Sequence, residues 1–300
     1  MEANMTADLI FAAANIVGES LVWDDDRQRL LWVDIIGKFI HALDPKTFDH
    51  QRWETDDFAT SLGLRKDGGA VVAFTKKICL WNYDNQFHPL ATVEPELSEN
   101  RLNEGVIGPD GAFWVGTMQN NFAADGNPVE ITKDTGRLYR CKADGSVNSI
   151  SEDLFGITNT LIWTNTGHLI TADTLKNELY RYDIDPATAQ LTGRRIIVSG
   201  FERGLPDGSA MDADGYIWNC RVAGGGCIMR IDPDGKVDRV IELPCSCPTS
   251  CAFGGEDLST LYITSARFTI DQKHLKANPQ EGGLFAIKPG VSGLLDHRFG

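Results

Sequence analysis

Short apolar runs alternate with turn residues along the whole chain, and six of the runs open alike. They are Glu19-Ser-Leu-Val-Trp23, Thr60-Ser-Leu-Gly-Leu64, Asn103-Glu-Gly-Val-Ile107, Asn159-Thr-Leu-Ile-Trp163, Asp207-Gly-Ser-Ala-Met211 and Thr249-Ser-Cys-Ala-Phe253. Each starts on a small polar or acidic residue and runs into an apolar strand. A little further on stand Asp26-Arg27, Asp67-Gly68, Asp110-Gly111, Thr166-Gly167, Asp214-Gly215 and Glu256-Asp257. Asp-Gly between apolar runs is a strong short hairpin signal. A second strand is expected after every turn, over 30–34, 70–74, 113–117, 168–172, 216–220 and 261–264. A third follows at 39–43, 78–81, 138–141, 178–182, 227–231 and 284–287, and a weaker fourth at 51–55, 89–93, 147–150, 195–198 and 237–243.

The six first positions, at 19, 60, 103, 159, 207 and 249, recur every 40 to 56 residues or so. A period near that length with four strands per repeat predicts an all-β fold, a six-bladed β-propeller with four antiparallel strands per blade. The Gly-His…Trp-Asp signature of WD40 repeats is absent. The sixth repeat lacks a fourth strand, and the strand-like segment 8–14 is expected to supply it and close the ring, leaving no open edge. Residues 1–300 then form a single propeller domain. Two surplus stretches, 118–137 and 267–282, follow the second strands of their blades. Both are candidate lids over the channel, or plain surface loops.

Composition narrows the function classes. With 28 basic against 42 acidic residues, the net charge of −14 leaves no basic footprint for nucleic acid or an anionic membrane. No apolar run has the roughly 20 residues a membrane span needs. Glu2 and Asp8 stand where a secretory signal would be basic, so the expected compartment is the cytoplasm. Seven scattered cysteines fit that compartment better than a disulfide framework. Cys245, Cys247 and Cys251 cluster, but without the usual zinc spacing or a second ligand pair, so ordinary buried thiols are expected.

In a propeller the first strand of each blade lines the central channel, so the first positions are expected to converge. They read Glu19, Thr60, Asn103, Asn159, Asp207 and Thr249: two carboxylates, two carboxamides and two hydroxyls. An all-oxygen set of mixed charge suits a hard divalent cation, which would also relieve the repulsion between the carboxylates. A wet channel of hydrogen-bonded polar groups would account for the same list. Arg101 shares a strand face with Asn103 and could hold a carboxylate or a polyhydroxylated molecule, or form a surface ion pair. None of the six histidines occupies a first position, which argues against a His-zinc site or a Ser-His-Asp triad.

These residues resemble the gluconolactonase and regucalcin (senescence marker protein) family over essentially the whole chain. The resemblance is carried by Gly18-Glu19-Ser20…Trp23, Arg101-Leu102-Asn103-Glu104-Gly105, Pro109-Asp110-Gly111…Trp114-Val115-Gly116-Thr117-Met118, Thr158-Asn159-Thr160, Leu205-Pro206-Asp207-Gly208 and Pro248-Thr249-Ser250…Phe253-Gly254-Gly255. It implies hydrolysis of a sugar (aldono)lactone with one divalent cation, calcium first, with magnesium, manganese or zinc as alternatives. It implies Glu19, Asn159 and Asp207 as metal ligands, Asp207 also as general base, and Arg101, Asn103 and Asn121 as substrate contacts. The chain departs from the family pattern at Thr160 (often Gly), at Glu104 (commonly Asp) and at Asn121 (acidic in some members). Rival readings are a metal-dependent hydrolase of other esters or organophosphates, a non-catalytic calcium-binding regulatory protein, and a scaffold that binds a partner on its rim.

Overall fold

The alternation of apolar runs and turns folds into strands almost throughout. The structure, a computed structural model, describes residues 6–300. β1 (Asp8–Phe11) precedes a first set, β2 (Gly18–Asp24), β3 (Arg29–Asp34), β4 (Phe39–Leu43) and β5 (His50–Glu54). Next come β6 (Ser61–Leu64), β7 (Ala70–Ala73), β8 (Lys77–Trp81) and β9 (Phe87–Thr92), then β10 (Asn100–Ile107), β11 (Phe113–Gln119), β12 (Leu138–Cys141) and β13 (Val147–Ser149). The fourth set is β14 (Thr158–Trp163), β15 (Leu169–Asp173), β16 (Glu178–Ile184) and β17 (Leu191–Ser199). The fifth is β18 (Leu205–Met211), β19 (Ile217–Val222), β20 (Cys227–Ile231) and β21 (Val237–Glu242). β22 (Pro248–Gly254), β23 (Thr260–Ser265), the short helix α1 (Gln272–Ala277) and β24 (Leu284–Ile287) complete the chain.

The strands form six four-stranded antiparallel sheets, and the fold is a six-bladed β-propeller. In every sheet the strand that follows the first position is an edge strand. The last sheet runs β1-β24-β23-β22, with Asp8 opposite Ala286 and Leu9 opposite Phe285. β1 stops at Phe11, short of the expected 14, because Ala13 turns back to the Phe11 carbonyl and Ala14 takes a positive φ of 58°.

The hairpin turns show why the glycines recur. Gly68, Gly111, Gly167 and Gly215 all have φ between 74° and 88°. In the first sheet, where the turn lacks glycine, Gln28 (φ 52°) takes the left-handed position instead, and in the last Leu258 (φ 53°) takes it alongside Gly255 (φ 88°).

The described residues fall into two compact units. One ends at Arg52 and resumes over Phe201–Leu295; the other comprises Trp53–Gly200 and Asp296–Gly300. In the first unit, Trp218, Ile228, Phe253, Ile263 and Phe285 pack β18–β21 against the last sheet. Leu21, Trp23, Trp32, Tyr262 and Leu284 join that sheet to β2–β4. In the second unit, Val71, Leu102, Phe113 and Val115 form one apolar layer, and Trp114, Phe155, Leu161 and Tyr180 the next. Burial of such side chains supplies about 1.5–3 kcal/mol each.

A carboxylate clasp recurs. Asp110 accepts from Trp114 Nε1 (3.1 Å) and Arg140 Nε (2.6 Å); Asp212 accepts from Trp218 Nε1 (2.9 Å) and from Arg230 Nε and Nη2 (3.0 and 2.7 Å). In both, a turn aspartate binds a second-strand tryptophan to a third-strand arginine.

His41 is buried against Trp32, with ring centroids 4.8 Å apart, and its Nδ1 lies 3.0 Å from His50 Nε2. Burial, then the charges of His50 and Arg52, lower its pKa to about 3. Unfolded histidine titrates near 6.5, so below that pH the unfolded chain binds a proton that the folded chain refuses. Stability is therefore expected to fall as pH drops through 6.5, by about 1.4 kcal/mol per unit until the folded pKa is reached. Urea midpoints of wild type and His41→Gln from pH 7 to pH 4.5 should converge at the acid end. Parallel curves would show that His41 does not contribute.

Candidate functional site

The first strands depart from regular β geometry where their polar residues sit. Register shifts fall between Glu19 and Val22, Leu102 and Gly105, Asn159 and Ile162, Pro206 and Ser209, and Pro248 and Cys251. Only β6 keeps an unbroken register, with Thr60 N bonded to the Ala73 carbonyl just before it. A bulge bends the strand and re-aims the side chain at the break. In two of them the residue after the first position has a positive φ, Ser20 at 52° and Thr160 at 51°. Those angles suit glycine, and a β-branched residue such as Thr160 takes them at a cost.

In the second unit, four of the expected site residues form one directed chain. Arg101 is 4% exposed and donates from Nη1 to Asn103 Oδ1 (2.7 Å) and from Nη2 to Asn121 Oδ1 (2.9 Å). A guanidinium only donates, so it turns both carboxamide oxygens toward itself. Asn103 Nδ2 then points away, to the Thr158 carbonyl (2.8 Å) and Asn159 Oδ1 (3.0 Å), while Asn159 Nδ2 donates to Thr174 Oγ1 (2.8 Å). Arg101 is therefore buried and not a surface residue. It also lies 4.8 Å from the Phe122 ring, which packs edge-on against Phe58 at 4.7 Å. These contacts hold the start of the loop after β11, and that is how Asn121 reaches Arg101. Beside them, burial raises the pKa of the Glu104 carboxyl, with the Gly105 N–H opposing.

The first unit holds the two carboxylates. Asp207 is 6% exposed and Glu19 half-buried. Both charges act on one buried thiol: burial raises the Cys220 pKa first, then Cys251, and then Asp207 and Glu19 add to it. Thr249 Oγ1 donates to the Gly18 carbonyl beside Glu19, and Ser250 Oγ accepts from Leu21 N (3.2 Å). Gly208, next to Asp207, is pressed against β22. A Cβ there would lie 2.8 Å from the Thr249 carbonyl oxygen and 2.9 Å from Ser250 Cα. Neither backbone atom can swing aside, so Gly208→Ala is expected to cost about 1–3 kcal/mol. It should also impair cation binding more than substitutions on the outer strands. A urea midpoint and a calcium titration of the variant check both.

A divalent cation fits this donor set. A carboxylate as buried as that of Asp207 calls for a counter-charge, and oxygen donors suit hard cations. In the second unit, taken by itself, Asn159 Oδ1 accepts from Asn103 and keeps a second lone pair. Among the described residues, no three His, Cys, Asp or Glu side chains gather as a metal cluster. Cys245 and Cys251 lie in the apolar layer around Trp218, and Cys247 is half-buried. Among the described residues, Ser246, His274 and Glu281 group together, but as a clamp on the loop that carries α1. Ser246 Oγ (3.1 Å) and Glu281 Oε1 (2.9 Å) both meet His274 Nε2, and Ser246 bonds Glu281 directly. A nucleophilic triad needs the carboxylate on the other ring nitrogen.

Sequence reasoning missed the partners that hold these groups in place. Thr174, Phe122 and Cys220 gave no motif, and neither did Asn219, whose Nδ2 donates to the Asp207 carbonyl (3.3 Å). The bulges leave no simple trace in residue order.

Residues 17–267 match the SMP-30/Gluconolactonase/LRE-like region family model. The chain is 36% identical to regucalcin of Oryctolagus cuniculus, covering 92% of each chain. It is 33% identical to 6-deoxy-6-sulfogluconolactonase of Pseudomonas putida, covering 99% of each. The solved structure of regucalcin, a calcium-binding protein from Agrobacterium tumefaciens, superposes with a TM-score of 0.89 at 26% identity over the whole of both chains. The chain belongs to the SMP-30/gluconolactonase/LRE-like family.

Proposed function

We propose that this protein hydrolyses a sugar (aldono)lactone to the open aldonic acid, using one divalent cation held by Glu19, Asn159 and Asp207. The observation that carries the proposal is that Asp207, buried, and Glu19, half-buried, each sit at the bulge of a first strand, in a member of a family that includes gluconolactonases. When bound, such a cation supplies positive charge that polarises the lactone carbonyl and stabilises the oxyanion that develops there.

The chain's own residues do the rest. Asp207 takes a proton from the attacking water as the water oxygen bonds to the acyl carbon. The ring C–O bond then breaks, and the proton passes to the departing alkoxide. Asn103 and Arg101 orient the sugar, with their geometry already set by their mutual hydrogen bond. Asn121 accepts from Arg101 through Oδ1, which leaves its Nδ2 hydrogens for substrate hydroxyls. An amide at this position donates as well as accepts, so it favours uncharged hydroxylated rings.

The test is a substrate panel. Purified protein with calcium is offered five- and six-carbon aldonolactones, a 6-sulfonated lactone and phosphotriesters, with acid release followed by a pH indicator. Turnover of lactones and not of phosphotriesters supports the proposal. Phosphotriester turnover alone would make it an organophosphate hydrolase, and calcium binding without turnover of any substrate would make it a binding protein.

A further inference from the structure

The bulge in β18 raises the question of what keeps Asp207 in place. Leu205 and Pro206 pair with Val222 and Arg221 of β19, and pairing resumes only at Ser209 opposite Asn219. Asp207 and Gly208 lie in the break. Asn219, wholly buried on β19, spans it: its Nδ2 donates both to the Asp207 carbonyl (3.3 Å) and to Ser209 Oγ (3.0 Å). One side-chain amide thus bonds both sides of the bulge.

The amide's orientation is set from behind. Arg221 Nη1 donates to Asn219 Oδ1 (3.2 Å), and because a guanidinium cannot accept, the Asn219 amide hydrogens must face Asp207. Arg221 is itself wholly buried. Its Nε donates to the Arg203 carbonyl (3.1 Å) and its Nη2 to that of Gly204 (2.8 Å), and it stacks over Phe201 at 5.1 Å. Gly225 closes over it, since a Cβ there would meet the Arg221 carbonyl at 2.5 Å. One arginine therefore fixes the segment leading into β18 and the amide that holds the break.

We infer that Asn219 and Arg221 are positioning residues that set the backbone of Asp207, and through it the aim of its carboxylate. This rests on the proposal that Asp207 is ligand and base. It goes further by naming residues that touch neither substrate nor cation and yet control both. Neighbours that orient metal ligands typically change affinity or activity 10- to 100-fold when lost.

The experiment compares Asn219→Leu, close in shape but unable to donate, with Ser209→Ala and Asp207→Asn. For each variant, calcium alone is titrated calorimetrically into chelator-stripped protein, kcat and KM are measured on the best lactone, and circular dichroism checks the fold. A folded Asn219→Leu should bind calcium about 10-fold more weakly and turn over about 10-fold more slowly, with KM changed less than about twofold. A merely structural role would lower the melting temperature and leave these values unchanged per folded molecule. Wild-type calcium affinity and kcat in folded Asn219→Leu, with Asp207→Asn inactive, overturns the positioning role and leaves the Asp207 proposal standing. Wild-type kcat in Asp207→Asn overturns both. If Asn219→Leu does not fold, Ser209→Ala decides, with calcium binding weakened about two- to threefold if the inference holds and unchanged if it fails.

Discussion

Asp207→Asn is expected to lower kcat for lactone hydrolysis by about 10²–10⁴-fold, the usual contribution of a general base. The substitution is nearly isosteric, and the backbone contacts survive it: Asn219 still reaches the carbonyl, and Gly208 still lies against β22. What it removes is a buried negative charge and the only proposed proton acceptor. KM should move much less than kcat, because Arg101, Asn103 and Asn121 keep their mutual geometry. Calcium affinity should fall as well, since a carboxamide is a weaker ligand for a hard cation than a carboxylate. Steady-state kinetics with a calcium titration of the same preparation measure both effects. A variant with full kcat would remove Asp207 from the mechanism.

The largest stability effect is expected at Asp212. Its carboxylate is wholly buried and accepts from Arg230 Nε and Nη2, from Trp218 Nε1 and, through Oδ1, from the backbone of Asp214 and Tyr216. Asp212→Ala strands a buried guanidinium with the exposed carboxylates of Asp238 (2.8 Å) and Asp214 (3.9 Å) close by, and removes the acceptor of a buried indole. Breaking a buried pair from one side costs about 3–5 kcal/mol. Asp212→Asn keeps the shape and one acceptor oxygen and should cost less. Removing both partners, with Arg230→Met added to Asp212→Ala, should recover part of the loss, because no unpaired charge then remains. Urea unfolding of the three variants reads the order directly. Equal midpoints for Asp212→Ala and wild type would contradict it.

Much of this architecture was legible because a propeller repeats. One turn glycine or one apolar run says little, but six in register fixed the sheets and marked the strand that opens each. Gly68, Gly111, Gly167 and Gly215 announced their turns because positive φ favours glycine there. The turns that use Gln28 and Leu258 were harder to place, since residues in a left-handed conformation by tertiary demand carry no signature. Helix α1 went unread for a similar reason. It is a single short turn of chain held by its Asp271 cap and the Ser246–His274–Glu281 clamp, and no hydrophobic period marks it.

The site was legible as residue types and less so as geometry. Arg101, Asn103, Asn121 and Asn159 were singled out, and they form one hydrogen-bonded chain. Their direction, from a donor-only guanidinium to the hydroxyl of Thr174, could not be read from residue order, because it depends on contacts between distant strands. The departure at Thr160 takes on meaning only with its φ of 51°. That angle explains why glycine suits the position, and why this chain carries strain directly beside Asn159.

The most direct test of the central claim is lactone turnover by chelator-stripped protein, with Ca²⁺, Mg²⁺, Mn²⁺ or Zn²⁺ restored one at a time, for wild type and for Glu19→Gln and Asn159→Ala. The account predicts that the stripped protein is inactive, that at least one cation restores hydrolysis, and that either substitution raises the cation concentration needed about tenfold or more. Full turnover by the stripped protein, or restoration unaffected by both substitutions, would contradict it.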